Sequence, residues 1–271
     1  MLEILKAALF GIVEGITEWL PVSSTGHMVL LDEFVRLDVS PEFWKMFLVV
    51  IQLGAIAAVA VLYFDKLWPF ARGLRLKPEA VPLWGKILLA CVPAAVVGLS
   101  LDNWIDRHFY NPFTVAVMLI SFGAAFIVVE NRNKHHRPKT ADLAGISYMQ
   151  ALWVGLFQVI AAVLPGTSRS GATILGGIAV GLSREVAAEF TFFLAVPVMF
   201  GASLLKIAKH GPAFSGHELA VLACGMAVSF IVSVLTIKFL MAYIKRHDFK
   251  IFGWYRIVLG ALVLLYFAVL K

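Results

Sequence analysis

The sequence predicts an all-α polytopic integral membrane protein, with six transmembrane helices plus two re-entrant helical hairpins arranged as an inverted-topology repeat. Three observations lead to this fold class. Of the 271 residues, 61% are hydrophobic and only 15% charged, with mean hydropathy +0.87, whereas a soluble domain carries roughly 25% charged residues. Six apolar segments approach the length of about 20 residues that crosses a bilayer. Two polar motifs, Glu14–His27 (EGITEWLPVSSTGH) and Gln158–Gly171 (QVIAAVLPGTSRSG), interrupt otherwise apolar sequence.

The elements follow in order. Leu2–Leu20 is apolar but carries Glu14 and Glu18 and ends at Pro21; a shorter apolar piece, Met28–Leu37, follows. A helix, a polar break and a half-length helix together describe a re-entrant hairpin, here residues 1–37. Backbone broken at membrane depth persists only where protein or a watery cavity satisfies its polar groups. Spans are predicted at Met46–Phe64, Leu83–Leu101 and Phe113–Val129, completing a first repeat of about 1–130. Met149–Leu164, stopped by Pro165-Gly166, and Ala172–Leu182 form the second hairpin (149–182). Phe190–Leu205, Leu219–Ile237 and Ile251–Leu270 complete a second repeat of about 148–271, within one membrane domain. Three spans per unit is an odd number, so the second copy must insert upside-down. In such folds the sites form where the broken elements meet.

Basic residues follow the first span (Lys66, Arg72, Arg75, Lys77), the third (Arg132, Lys134, Arg137, Lys139) and the fifth (Lys238, Lys245, Arg246, Lys250). The loop Asp102–Pro112 holds only Arg107 against Asp102 and Asp106. The positive-inside rule then puts the basic loops in the cytoplasm and both termini outside, with Lys206 and Lys209 the discordant pair on the outer side. The net charge of +6 is no nucleic-acid signal, because the cations sit in loops rather than along one face. Glu3, Lys6 and Glu14 break the N-terminal apolar stretch, so no cleavable signal peptide is expected. Cys91 and Cys224 lie in apolar runs and are expected to pack rather than pair.

The motifs align. Setting Pro21 opposite Pro165, 144 residues later, puts Gly11 opposite Gly155, Glu14 opposite Gln158, Ser23 opposite Thr167, Ser24 opposite Ser168 and Thr25 opposite Arg169. One half-site is acidic and the other basic. Phe47 and Phe190 open spans at similar distances, 26 and 25 residues beyond the prolines.

Glu14 and Glu18, spaced i, i+4, share a helix face. Such a pair suits a divalent cation, Mg²⁺ or Ca²⁺, that would also bind phosphate oxygens; a proton-coupling pair or snorkelling glutamates are the alternatives. Ser23, Ser24, Thr25 and Gly26 supply hydroxyls and N–H groups at a helix start, which bind anions, phosphate above all. His27 lies three residues after Ser24, and a hydroxyl beside an imidazole suffices for covalent phosphoryl or acyl transfer, although the same residues serve equally as a helix cap. In the second motif Thr167, Ser168 and Ser170 surround Arg169. An arginine at bilayer depth needs an anion, and its planar fork matches phosphate; Glu14 or Glu18 is the other available partner. Gln52, a polar residue within the first span, has even claims on cavity and packing. His135-His136 reads as solvated loop, Gly176, Gly177 and Gly181 as close-packing positions, and Trp44, Tyr63 and Trp68 as interfacial anchors.

With these residues in view, the chain resembles the bacterial undecaprenyl-diphosphate phosphatase family, also known as bacitracin-resistance proteins. The resemblance rests on EGITEWLPVSSTGH at 14–27 and PGTSRSGAT at 165–173, with support from FLVVIQLGAI at 47–56 and FTFFLAVPVMFGA at 190–202. It implies removal of the terminal phosphate from a C55 polyprenyl diphosphate lipid, giving the carrier used in cell-wall synthesis; bacitracin acts on that same substrate. It also implies a bacterial cytoplasmic (inner) membrane location, a divalent-cation requirement and an active site facing the periplasm. The family's acidic pair falls on Glu14 and Glu18, its serine on Ser24, its histidine on His27 and its arginine on Arg169. The expected mechanism has Ser24 attacking with His27 as base; His27 or water as nucleophile are the alternatives. The rival class is a secondary transporter or lipid flippase for an anionic substrate, in which Glu14 and Glu18 carry protons. A structural scaffold has no use for polar breaks at depth. The sequence leaves monomer and homodimer both open.

Overall fold

The computed structural model describes residues 1–71, 75–134, 136–211 and 214–269, with the side chains at 102, 103, 106, 210, 268 and 269 excepted. Arg72, His135 and Leu270 lie outside the described residues, as do the side chains of Asp102 and Asp106. Among the described residues the chain is helical: α1 (Leu2–Thr17), α2 (Ser24–Phe34), α3 (Pro41–Val50), α4 (Gln52–Leu62), α5 (Phe64–Leu67), α6 (Ala80–Phe109), α7 (Pro112–Asn133), α8 (Tyr148–Val163), α9 (Arg169–Ala179), α10 (Arg184–His210), α11 (Gly216–Ile244) and α12 (Lys250–Val269). Among the described residues, six stretches are long and apolar enough to cross a membrane: Pro41–Leu62, Ala80–Leu101, Pro112–Asn133, Arg184–Lys209, Gly216–Ile244 and Lys250–Phe267.

Each matches an expected span, with three differences. The first is broken at Ile51, which separates α3 from α4 and places Gln52 in the first turn of α4. The second runs on to Phe109, because nothing between Leu101 and Phe109 stops a helix; the loop expected from Asp102 is confined to the turn before Pro112. The fourth reaches His210, so Lys206 and Lys209 belong to its last turns rather than to a loop. Side-chain caps fix the starts: Ser40, Asn111, Ser147, Ser183 and Ser215 each accept a first-turn N–H, a substitution-sensitive contribution of about 1 kcal/mol apiece.

The two short pairs, α1–α2 and α8–α9, each bring their outer ends together. At the base of the first, Asp38 N donates to Glu3 Oε2 (2.8 Å) and Lys6 Nζ to Arg36 O (2.6 Å). At the base of the second, Gln150 Nε2 donates to Val180 O (3.3 Å) and Ser183 N to Thr140 O (2.9 Å). The long helices set the pairs at opposite ends of the bundle. α11 runs parallel to α1, since Gly11 lies against Gly225 and Gly15 against Ser229 and Val232; it then ends at Ile244, far from the base of α1–α2 and beside that of α8–α9.

Glycine permits these approaches. A Cβ at Gly11 would sit 2.6 Å from Gly225 O, and one at the aligned Gly155 would sit 2.4 Å from Ala90 O. So α1 packs on α11 of the other half, and α8 on α6. Gly176 and Gly177 pack closely against Phe157 and Ala187 as expected, whereas Gly181 also adopts φ +96° in the turn into α10. Trp44 and Tyr63 pack on Phe10 and Phe193, and Trp68 is half-exposed. Both cysteines are free thiols.

Candidate active site

The breaks after α1 and α8 meet inside the bundle. Helix α1 ends at Thr17, but Glu18 keeps helical backbone (φ −70°, ψ −39°) and donates its N–H to Glu14 O. Glu14 and Glu18 therefore keep the i, i+4 relation that the sequence suggested. Both are buried. After Pro21 and Val22 the chain turns through Ser23 (φ 76°), whose hydroxyl accepts from Gly26 N at the start of α2. After Pro165, Gly166 and Thr167 it turns through Ser168 (φ 70°), whose hydroxyl accepts from Gly171 N at the start of α9. These are the only non-glycine residues with positive φ among the described residues. Conformations of this kind cost about 1–3 kcal/mol each and persist where surrounding structure over-determines them.

This corrects the alignment. The second break has one more residue between proline and cap than the first, because Gly166-Thr167 replaces Val22. Beyond the breaks Ser23 is equivalent to Ser168, Ser24 to Arg169, Thr25 to Ser170 and Gly26 to Gly171, in place of the Ser24–Ser168 and Thr25–Arg169 pairing read from the prolines. Ser24 and Arg169 are each the first residue of their helix, and so they face each other across the site.

Glu18 joins them. Its Oε2 accepts the Ser24 hydroxyl at 2.7 Å, and its Oε1 accepts from Arg169 Nη2 at 3.0 Å. Arg169 Nη1 donates to Thr191 O at 3.1 Å. Ser170 Oγ donates to the Glu18 carbonyl at 2.9 Å and also lies 3.1 Å from Ser168 Oγ, tying one break to the other. A cavity of about 170 Å³ opens here; Gln52, Thr25, Ser168 and the three joined residues line it, with Val198, Met199 and Ala202 of α10 on the apolar side. Gln52 therefore faces the cavity.

His27 is placed differently from expectation. Its Nδ1 bonds Ser23 O at 2.7 Å and its Nε2 meets Tyr255 Oη at 2.6 Å, with the two rings parallel. Both ring nitrogens are engaged, and the side chain that touches the Ser24 hydroxyl is Glu18, not His27. Bending back onto the carbonyl four residues earlier carries the imidazole toward α12 and away from the hydroxyl.

Glu14 Oε1 and both amide atoms of Gln158, its aligned counterpart, are buried without a hydrogen-bond partner, as is the Thr167 hydroxyl. Among the described residues no three His, Cys, Asp or Glu side chains cluster as a preformed metal site. Glu14 and Glu18 are the adjacent carboxylates, and Glu14 holds the unused oxygen.

Arg256 escaped the sequence reading. It is fully buried in α12, inside a segment counted as an apolar span. Its Nη1 donates to Pro21 O (3.2 Å) and its Nη2 to Gly166 O (3.0 Å) and Thr167 O (2.8 Å). One guanidinium thus holds the carbonyls of both breaks. An ionisable residue within a span usually marks a site, and that signal would have found it. Tyr255 and Thr191 carry no such signal.

Two broken helices, capped by hydroxyls and joined through an Arg–Glu–Ser chain at the centre of six apolar helices, define a polytopic membrane protein built to handle an anion. The chain matches the family described as "Bacitracin resistance protein BacA" over residues 7–262. It is 62% identical over 270 residues to an "Undecaprenyl-diphosphatase" of Desulfitobacterium hafniense (99% of this chain, 97% of that one). It is 59% identical to "Undecaprenyl-diphosphatase 1" of Clostridium acetobutylicum (99% and 98%) and 56% to an "Undecaprenyl-diphosphatase" of Enterococcus faecalis (99% and 98%). The chain belongs to the BacA bacitracin-resistance family.

Proposed function

We propose that the protein is an undecaprenyl-diphosphate phosphatase, hydrolysing undecaprenyl diphosphate to undecaprenyl phosphate and inorganic phosphate and so recycling the carrier lipid for cell-wall synthesis. The observation that carries this reading is the Glu18 carboxylate shared between the Ser24 hydroxyl (2.7 Å) and the Arg169 guanidinium (3.0 Å). A carboxylate on a hydroxyl is a base on a nucleophile. A guanidinium beside both, with hydroxyls and the first N–H groups of α2 and α9 around it, suits a phosphoryl group whose charge grows in the transition state.

In the mechanism this supports, the diphosphate displaces Glu18 from Arg169, which then binds phosphate oxygens. Ser24 Oγ attacks the terminal phosphorus while its proton passes to Glu18, and the P–O bond to the lipid monophosphate breaks. Water then attacks the phosphoserine, releasing phosphate and restoring Ser24. His27 orients the start of α2 through Ser23 and Tyr255. A divalent cation, Mg²⁺ or Ca²⁺, fits the donor set: Mg²⁺ sites commonly use one or two carboxylates together with substrate phosphates, and Glu14 has an oxygen without a partner. Glu14 and Glu18 would hold it, and it would supply charge neutralisation on the diphosphate.

The bacterial cytoplasmic membrane is the proposed location, with α1–α2 and α8–α9 re-entrant and related as an inverted repeat. Opposite placement of the two pair bases and the reciprocal α1–α11 and α8–α6 packing support this. The cavity is walled by Val198, Met199 and Ala202, toward the end of the bundle where α1 begins and α12 ends and away from the basic loops, which supports access from the periplasm. Bacitracin would then compete for the lipid diphosphate on that face. Phosphate release from a polyprenyl diphosphate by purified protein in detergent, with no gradient, is the test. Transport of the lipid in vesicles without any such release would support the flippase reading instead.

A further inference from the structure

A second cavity is larger than the one between the breaks. It measures about 350 Å³ and lies at the opposite end, among the end of α7, the loop before α8, the α9–α10 turn and the end of α11. Its charged lining is Arg137, Lys139, Arg184 and Lys245 against Glu130 and Glu185. Arg184 is neutralised: its Nε lies 2.9 and 3.0 Å from the two oxygens of the buried Glu130 carboxylate, and its Nη2 bonds the same group. Arg137, Lys139 and Lys245 have no carboxylate partner among the described residues. Three unpaired cations therefore face one unpaired carboxylate, Glu185, leaving an excess of about two positive charges in a concave site.

The site is built rather than loose. Lys139 N and Thr140 N both donate to Gly181 O (2.8 and 3.1 Å), and the Lys139 stem lies against Gly181, close enough that a Cβ there would be 3.0 Å from Lys139 Cδ. Ser183 caps α10 at the wall, where first-turn N–H groups add a favourable field for an anion. Ile178, Leu182 and Ile244 supply the apolar part of the wall, and Asn133 and His136 add polar groups to it. The volume falls at the low end for small-molecule sites and exceeds what a lone phosphate needs. All of this sits where the basic loops gather, at the leaflet in which anionic lipids attract such clusters.

We propose that this cavity binds a phosphate-bearing headgroup, that of an anionic phospholipid in the leaflet the basic loops face. The site is independent of the phosphatase reaction and uses none of its residues. The test is thermal unfolding of the purified full chain in a neutral detergent, titrated with phosphatidylglycerol, phosphatidylcholine or inorganic phosphate. Wild type, the double variant Arg137→Gln/Lys245→Gln, and Glu185→Gln are compared, with phosphatase rate in plain detergent confirming that each is folded. The expected result is saturable stabilisation by phosphatidylglycerol and none by phosphatidylcholine. Apparent affinity should be about tenfold weaker in the double variant and stronger in Glu185→Gln. Stabilisation by inorganic phosphate, with the same dependence on the variants, would support the anion site and name a free phosphate as its occupant. Equal response to both lipids, or to phosphatidylglycerol in all three proteins, would overturn the proposal.

Discussion

Replacing Arg256 by Met tests whether one buried guanidinium holds the two breaks in register. Met has a comparable stem and no donors. The substitution removes three charge-assisted hydrogen bonds to the breaks, at Pro21 O, Gly166 O and Thr167 O, and a longer fourth one of 3.5 Å to Met118 O. At about 1.5–3 kcal/mol each the gross loss is roughly 5–9 kcal/mol. Burying the guanidinium itself costs several kcal/mol that Met avoids, so the net destabilisation should be about 2–4 kcal/mol. Much of it should fall on the breaks, whose carbonyls lose their donor and whose Ser23 and Ser168 backbones hold strained dihedrals. If Ser24 and Arg169 drift by about 1 Å, the turnover number should fall by about 100-fold. Arg256→Lys keeps the charge, but a single ammonium lacks the fork that reaches carbonyls on both sides, and an intermediate loss is expected. Phosphate release kinetics and the thermal midpoint in detergent read the two effects together. Turnover within about twofold of wild type and an unchanged midpoint for Arg256→Met would refute the reasoning.

Four shorter predictions accompany it. Ser24→Ala should retain less than about a tenth of the wild-type rate, since loss of a covalent nucleophile usually costs orders of magnitude; retention above that in single-turnover assays excludes Ser24 as the obligatory nucleophile. Glu18→Gln leaves Arg169 without its partner and Ser24 without its base, so a rate loss of about 10²–10⁴ should accompany a destabilisation of about 3–5 kcal/mol, read by denaturant titration. If Glu14 and Glu18 hold a cation, EDTA should abolish turnover and added Mg²⁺ or Ca²⁺ restore it, and Glu14→Gln should raise the metal concentration needed; indifference to chelation removes that role. Gly155→Ala drives a methyl to 2.4 Å from Ala90 O and should cost about 1–3 kcal/mol, whereas Gly201→Ala, with open space around it, should be nearly silent in the same melt.

The spans were legible because hydrocarbon imposes a length and a composition that no folding detail overrides. Their ends were less so: the span read as Leu83–Leu101 continues as helix to Phe109, because an apolar run marks where the hydrocarbon ends and not where the helix does. The break residues were legible for the same reason as the spans, since Glu18, Ser24 and Arg169 make no sense facing lipid. What each of them touches was not. The i, i+3 spacing of Ser24 and His27 suggested a couple, but the ring turns back on Ser23 and out to Tyr255, 228 positions along the chain. A spacing rule sees one helix and cannot weigh a partner on another.

By itself the sequence determined that two polar breaks lie within an apolar bundle and that one is acidic and the other basic, because the cost of polar groups in lipid is written residue by residue. Only the tertiary structure decided that Ser24 stands opposite Arg169, that Glu18 rather than His27 accepts the Ser24 hydroxyl, and that Arg256 clamps both breaks. Those depend on where a one-residue difference in the breaks lets chain 144 residues away come to rest, and hydrogen bonds with a reach of about 3 Å are settled by packing, not by order along the chain.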